Sequence, residues 1–260
     1  MPASAERPQD AIFIELDMDT LHGKRELLAE CVPHIGHFCV GQRLATAVGL
    51  PKVNEFIRSL EGKIFYDARL CLPSKDMIGV MNTLAFLDTV DMVSVRFTSG
   101  WRSIQAAMER RGRKEVAGVA STLKLSAYMQ LQGGREHTNS TNAFFSAGGN
   151  TLLCPAWEMK TLQREHEELF GSVGTLNLIT SDVRPSWKKP TRREKTGLTE
   201  PRTPRVTTRR GAHGGVVIRW SDLIAKKSDG LPNLPKRLSL IKAEILAARV
   251  EGELALASGT

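Results

Sequence analysis

The sequence predicts an α/β protein of the (β/α)8 TIM-type barrel class. It contains eight short apolar segments, amphipathic segments lie between most of them, and the chain has 260 residues. A barrel of this type needs about 250 residues. Parallel strands require long crossover connections, usually helices, so the alternation favours a parallel sheet and the number eight favours closure. No GxGxxG motif follows the first strand, which argues against a dinucleotide-binding sheet.

Each predicted strand is a short apolar run, and several runs end in charged residues. The first, at 11–17, has the sequence AIFIELD, and the third, at 63–69, has the sequence KIFYDAR. Apolar runs of this length between polar segments are typical of buried strands. The eight predicted strands are 11–17, 37–41, 63–69, 91–97, 116–123, 151–155, 175–181 and 215–219.

Helices are predicted where apolar residues recur at helical spacing. The clearest is the last, in which Leu238, Ile241, Ile245 and Ala248 fall on one face. The predicted helices are 20–31, 44–60, 76–87, 101–111, 157–170 and 234–250. The segment 133–150 is rich in Gly, Asn, Ser and Thr and is predicted to be a loop. We therefore expect shortened helices after strands five and seven.

The composition predicts one cytoplasmic domain over residues 11–250, between flexible termini at 1–10 and 251–260. No apolar run is long enough for a membrane span, and the first residues lack the apolar core of a secretory signal. Cys31, Cys39, Cys71 and Cys154 form neither a CxxC pair nor a metal-binding spacing. We expect reduced thiols, no membrane association, no metal and no cofactor.

The basic residues are concentrated in one segment, at 184–213. This segment has ten Lys or Arg against two Glu, a surplus of +8 that equals the formal net charge of the whole chain. It is poor in apolar residues, so we predict a long basic loop after strand seven that provides an anion site or a docking strip. Besides Arg184, its basic residues are Lys188, Lys189, Arg192, Arg193, Lys195, Arg202, Arg205, Arg209 and Arg210.

Functional residues of a barrel lie at the carboxyl ends of its strands. This rule selects eight candidate residues: Asp17, Cys39, Asp67, Arg69, Arg96, Ser121, Arg184 and Arg219.

Seven segments together resemble the orotidine 5′-phosphate decarboxylase family, in the family's order and at roughly its spacing. They are IELD, CVGQRLATAVG, IFYDARL, VSVRFTSG, LLCPAWEM, LITSDVRP and VVIR. The resemblance extends over about residues 11–245 and implies the same barrel. It also implies a homodimer with the active site at the interface.

In the family, an alternating Lys-Asp-Lys-Asp array performs the decarboxylation. The resemblance places Cys39 at the first lysine, Asp67 at the first aspartate, Arg69 at the second lysine and Leu72 at the second aspartate. Arginine keeps the charge but is a very poor proton donor. The aspartate replaced by Leu72 comes from the neighbouring subunit in the family, so its loss leaves dimerisation open. The resemblance therefore implies that orotidylate decarboxylation is lost.

The ligand-binding part of the family's site is better preserved. The resemblance gives Asp17 a contact with ribose and Arg219 a contact with phosphate, matches Arg184 and Pro185 to the family's GIRP turn, and places Ser121 near the pyrimidine. Arg96 stands where the family often has histidine. Each residue also has a structural interpretation: Asp17 and Asp67 could bond loop backbone, Asp67 could pair with Arg69, Arg219 could be an ordinary surface residue, and Cys39 could be an inert thiol instead of a nucleophile.

Three functions remain open from the sequence. The first is a pseudoenzyme that binds a phosphorylated ligand such as a nucleotide, or an acidic protein or a nucleic-acid backbone through residues 184–213. The second is an active enzyme of the same superfamily on a nucleotide or sugar phosphate. The third is a regulatory interaction protein without a small-molecule site, whose basic segment orders on binding.

Overall fold

The structure is a closed barrel of eight parallel strands, as the sequence predicted. It is a computed structural model that describes residues 8–119, 143–155, 163, 176–183, 185, 203–209, 214–224 and 233–258. The strands follow one another around the barrel in chain order, and the eighth pairs with the first in parallel. All strands therefore end at the same side, which brings the described candidate residues Asp67, Arg96 and Arg219 to one mouth.

The strands lie within a few residues of their predicted positions. Three of them, at 37–41, 151–155 and 215–219, have the predicted bounds. The first strand is shorter than predicted and ends at Glu15, so that Asp17 lies beyond it. The strands are β1 Ile12–Glu15, β2 His37–Gly41, β3 Ile64–Leu70, β4 Val90–Arg96, β5 Glu115–Val119, β6 Thr151–Pro155, β7 Asn177–Val183 and β8 Gly215–Arg219.

Helices cover the outside of the barrel. Among the described residues they are α1 Arg25–Cys31, α2 Gln42–Leu44, α3 Leu50–Arg58, α4 Ser74–Ala85, α5 Trp101–Arg110, α6 Pro204–Arg209, α7 Trp220–Leu223 and α8 Leu234–Ser258. A π-helical turn, Ala45–Gly49, joins α2 to α3. The first helix was predicted from residue 20 but begins at Arg25, because Gly23 has a φ of +66° that a helix does not allow.

The basic segment contains a short helix, which the sequence analysis did not predict. In α6, the side chains of Thr207 and Thr208 are buried although the segment is poor in apolar residues. The hydroxyl of Thr207 donates to the Thr203 and Pro204 carbonyls at 2.9 and 3.1 Å, so a polar residue is buried without losing its hydrogen bonds. Most of the helix predicted at 157–170 and most of the loop predicted at 184–213 lie outside the described residues.

Both chain ends are more structured than predicted. Pro8–Ala11 forms a 3-10 helix within the predicted flexible segment 1–10. The last helix was predicted to stop at residue 250, but α8 continues to Ser258. In the predicted loop 133–150, residues 143–146 are helical and Phe144 is fully buried, with its ring packed edge-on against Phe97. The prediction missed this short helix because the segment is mostly polar, although Phe144, with Ala143 and Phe145 beside it, packs against the core.

The apolar core has two layers, because successive strand residues point alternately into and out of the barrel. The outer layer packs the strands against the helices. The inner layer fills the barrel axis with one side chain from each strand: Phe13, Cys39, Phe65, Met92, Ala117, Leu153, Ile179 and Val217. No helix of the described residues is long and apolar enough to cross a membrane.

Glycine is required where β8 begins. Gly215 has a φ of +147°, and a Cβ atom there would lie 2.4 Å from the ring of Phe13. Because Gly215 has no side chain, the bulky ring of Phe13 can occupy the barrel axis beside β8.

Candidate functional site

The carboxyl ends of the strands form a mouth with alternating charges. Among the described residues, it contains Glu15 at the end of β1 and Asp17 beyond it, Asp67 and Arg69 on β3, Ser94 and Arg96 on β4, Arg219 at the end of β8 and Ser221 beyond it. The inner apolar layer lies directly below these residues. The mouth therefore combines a closed apolar floor with a polar rim, as in many small-molecule sites.

Asp67 is held through both of its carboxylate oxygens. Its Oδ1 accepts a hydrogen bond from the Ser94 hydroxyl at 2.7 Å, and its Oδ2 lies 3.4 Å from Nε and from one terminal nitrogen of Arg69. Ser94 is fully buried and also accepts a bond from the Arg69 backbone N–H at 2.7 Å. The ion pair predicted as a structural alternative for Asp67 is therefore present, and Ser94 fixes both partners.

Arg69 has an unusual backbone conformation. Its φ is +47°, and the pairing of β3 with β4 shifts register between Tyr66 and Leu70. Non-glycine residues rarely adopt a positive φ, which costs on the order of 1–2 kcal/mol. Such strain concentrates at functional sites. The bulge directs a half-exposed guanidinium toward Asp67.

Asp17 is engaged with the chain that follows β8. Its Oδ1 accepts from the backbone N–H of Ser221 at 3.0 Å, and its Oδ2 accepts from the Ser221 hydroxyl. A carboxylate in this place satisfies an N–H of the first turn of α7. The structural interpretation of Asp17 therefore has direct support, and its contact with ribose stays a prediction.

Cys39 belongs to the inner apolar layer, 1% exposed. Burial raises the pKa of this thiol well above its ordinary value, and the charges of Asp67 and Glu15 raise it further. The thiolate is the nucleophilic form of cysteine. Cys39 is therefore held as a neutral thiol, which supports the inert interpretation.

The remaining mouth residues differ in their surroundings. Arg219 lies 3.5 Å from the Glu15 carboxylate, with half of the guanidinium side chain exposed. Arg96 is exposed at the end of β4, next to the bulge of β3. Leu72, which stands where the resemblance implies an aspartate, packs against the outer core.

Several predicted site residues cannot be placed. Ser121, Arg184 and most of the basic residues of 184–213 lie outside the described residues. Arg205 does belong to the described part, where it pairs with Glu251 of α8, and the backbone of Arg209 ends α6. The role of the basic segment stays a prediction.

Sequence reasoning missed three residues of the mouth: Glu15, Ser94 and Ser221. A signal existed for Ser94, because it is the polar residue in the apolar run VSV of β4 and shares the inward phase of Met92 and Arg96. No local signal marks Ser221, since its partner Asp17 is 204 positions away.

Within the described residues, no group of three or more His, Cys, Asp or Glu side chains is arranged to hold a metal ion.

Comparison with known proteins identifies the family that this barrel resembles. No protein-family model matches the chain. It is 25% identical over 196 residues to orotidine 5′-phosphate decarboxylase of Prochlorococcus marinus (strain AS9601), which covers 68% of this chain and 76% of that protein.

The solved structures agree on the fold. Orotidine 5′-phosphate decarboxylase from Lactobacillus acidophilus has a TM-score of 0.63 at 16% identity, and the enzyme from Pyrococcus horikoshii OT3 has 0.60 at 13%. An uncharacterized conserved protein from Geobacillus kaustophilus has 0.59 at 16%. Each match covers 90% of this chain and 98–99% of the other chain. The sequence match and the shared fold together make this chain an orotidine 5′-phosphate decarboxylase-like (β/α)8 barrel.

Proposed function

We propose that this protein is a pseudoenzyme that no longer decarboxylates orotidylate and binds a phosphorylated ligand, such as a nucleotide, through the arginines of its mouth. The proposal rests on which residues stand at the ends of β2 and β3. The mouth has arginines at three strand ends, and the two positions where the resemblance implies lysine carry a buried thiol and an arginine.

The loss of catalysis follows from proton chemistry. Decarboxylation leaves a carbanion that an acid must protonate. Cys39 lies below the mouth as a buried thiol, a group that has no cationic form, and burial raises its pKa and so makes it a poor proton donor. Arg69 supplies charge but is a very poor proton donor. With Leu72 packed against the core, only Asp67 of the four-residue array is kept.

The retention of ligand binding follows from the arginines. Arg219 lies at the end of β8 with about half of its side chain exposed. Its Nε is 3.5 Å from the carboxylate of Glu15, which is a long ion-pair contact. The backbone of Arg69 is fixed by Ser94, but its guanidinium has only a long contact with Asp67, at 3.4 Å. A phosphate group bonds arginine in a bidentate manner and competes well with a long, exposed carboxylate contact. Phosphorylated ligands are therefore the chemistry that fits these side chains best.

The test is calorimetric titration of the full chain with uridine 5′-monophosphate and its 6-aza and 6-hydroxy analogues. We expect binding that Arg219→Ala weakens at least tenfold, about 1.4 kcal/mol, because a charge-assisted phosphate contact is lost. Arg110→Ala at the exposed end of α5 is the matched control and should leave the affinity unchanged. An assay of orotidylate decarboxylation on the same preparation should show no turnover.

Each other outcome selects a different function. Turnover of orotidylate would refute the loss of catalysis. Metal-dependent turnover on a panel of sugar phosphates would favour an active enzyme of the same superfamily. Binding of no phosphorylated compound, together with protection of residues 184–213 from proteolysis by a macromolecular partner, would favour an interaction protein.

A further inference from the structure

The amino-terminal end of the barrel contains a cavity of about 830 Å³, on the side opposite to the mouth. Its lining residues come from the beginnings of strands β2 to β8 and from the segment before β1. Small-molecule sites in proteins typically have volumes of about 300–1,000 Å³. The size is therefore that of an organic ligand and exceeds what a few ordered waters require.

The cavity is acidic in an otherwise basic protein. Its charged lining comprises four carboxylates and two cations, a formal charge of −2, whereas the whole chain has +8. These residues are Asp10, Glu61, Asp91 and Glu115 against Lys63 and Arg113. Because the walls of a concave site concentrate the field of one sign, this charge attracts cations.

The carboxylates of the cavity differ in how far they are neutralised. Asp91 is already paired, since its Oδ2 lies 2.8 Å from Nζ of Lys63 and 3.7 Å from Nε2 of His37. Glu115 is half-buried at the start of β5 and accepts a hydrogen bond from the Thr151 hydroxyl. No lysine, arginine or histidine of the described residues lies within ion-pair distance of Glu115. A partly buried carboxylate without a cation has a desolvation cost that a cationic ligand would offset.

The other polar groups of the floor favour a hydrogen-bond donor. An ionised Glu115 can only accept hydrogen bonds, and the single proton of the buried Thr151 hydroxyl is directed to acceptors, the Glu115 carboxylate and Oδ1 of Asn150 at 3.3 Å. An ammonium or guanidinium group supplies several donors and a positive charge at once. A metal ion fits less well, since the described residues contain no group of three or more suitable ligands.

We propose that the amino-terminal end of the barrel is a second binding site, separate from the mouth, for a small organic cation of the amine or guanidinium class that pairs with Glu115. Arg113 is exposed at the rim, and its positive charge opposes the approach of such a ligand. The charge of Arg113 therefore lowers the affinity of the site for a cationic ligand.

Titration calorimetry of the full chain with putrescine and spermidine tests the proposal. We expect saturable binding that Glu115→Gln weakens about tenfold or more, as for the loss of a charge-assisted bond. Arg113→Glu should strengthen binding about two- to fivefold, the effect of an exposed charge. Since Arg113 is exposed, this variant tests the site even where Glu115→Gln disturbs folding.

Two control variants separate the site from other acidic groups. Glu26→Gln removes an exposed carboxylate of α1, and Glu15→Gln removes one at the mouth; both should leave amine binding unchanged. Absence of saturable binding, binding that neither Glu115→Gln nor Arg113→Glu alters, or equal loss in Glu15→Gln would each overturn the proposal.

Discussion

At the residue scale, the two cysteines whose surroundings differ most are Cys39 and Cys71. Cys39 lies in the inner layer of the barrel, where burial raises its pKa, whereas Cys71 is exposed beyond β3 with its sulfur 3.6 Å from the Thr98 hydroxyl. Cys31 and Cys154 are buried as well, and burial raises the pKa of Cys31 to about 12. Reactivity should therefore be confined to one of the four thiols.

We predict that a thiol reagent such as DTNB modifies one cysteine rapidly in the folded protein and the other three only after unfolding. Cys71→Ser should abolish the rapid phase, because the thiolates of the buried residues are disfavoured and shielded. Mass spectrometry of alkylated peptides identifies the site. Rapid modification of Cys39 would show that this residue is accessible and would reopen its interpretation as a nucleophile.

The backbone of Arg69 gives a second residue-scale prediction. Glycine adopts a φ of +47° without strain, so Arg69→Gly relieves about 1–2 kcal/mol of backbone strain. This gain offsets the entropic cost of introducing a glycine, about 0.5–1 kcal/mol. We expect Arg69→Gly to change the free energy of unfolding by less than about 1 kcal/mol in urea titration. Arg96→Gly is the control, since Arg96 has an extended backbone with φ −77°.

The control variant has no strain to relieve and should be the less stable of the two. A larger loss in Arg69→Gly than in Arg96→Gly would mean that the contact of Arg69 with Asp67 stabilises the fold more than its exposure suggests.

At the element scale, the closing helix α8 has one buried face and one exposed face. Leu238, Ile241 and Ile245 are buried against the barrel, whereas Leu240 is 47% exposed. The helix also contacts α6 through the exposed pair of Arg205 and Glu251. Exposed ion pairs contribute little to stability. The apolar face is therefore what holds α8 in place.

This arrangement predicts different costs for two leucines of the same helix. Leu238→Ala should lower the free energy of unfolding by about 2–5 kcal/mol, because it removes buried contacts and leaves a cavity. Leu240→Ala should cost less than about 1 kcal/mol, because its side chain is largely exposed. Chemical denaturation followed by circular dichroism measures both; equal costs would show that the outer face of α8 is covered in solution.

At the scale of the whole molecule, the two ends of the barrel have different electrostatics. The mouth alternates arginines with carboxylates, and the amino-terminal end gathers four carboxylates around one cavity. At the amino-terminal end, the ionisation of Asp91 contributes to the stability of the fold. Its burial alone would raise its pKa, but hydrogen bonds and charges from His37 and Lys63 outweigh burial and lower the pKa to about 2.

The lowered pKa of Asp91 predicts part of the acid sensitivity of the protein. An unfolded aspartate has a pKa of about 3.9, so the folded protein holds the ionised form more strongly and this stabilisation is present above that pH. It is lost as the pH falls through about 4 toward 2. In Asp91→Asn, the fall in thermal stability between about pH 5 and 2 should be shallower; an unchanged slope would mean that other carboxylates dominate acid unfolding.

Local patterns determined the architecture. Short apolar runs alternating with helical ones predicted eight strands to within a few residues, because the periodicity of burial is written into consecutive residues. The rule that barrel strands end at a functional mouth also placed Asp67, Arg69, Arg96 and Arg219 at one face. The helix α6 was missed, since it packs on α8, which lies far away in the chain.

The contacts that define what each site residue can do were decided by the tertiary structure. Asp17 meets Ser221, and Asp67 meets Ser94, only because the barrel closes with a particular register between its strands. Closure likewise places Cys39 on the barrel axis and collects the strand beginnings around Glu115. The sequence by itself determined which residues stand at the strand ends; which of them are paired, buried or available to a ligand depends on neighbours that no local pattern encodes.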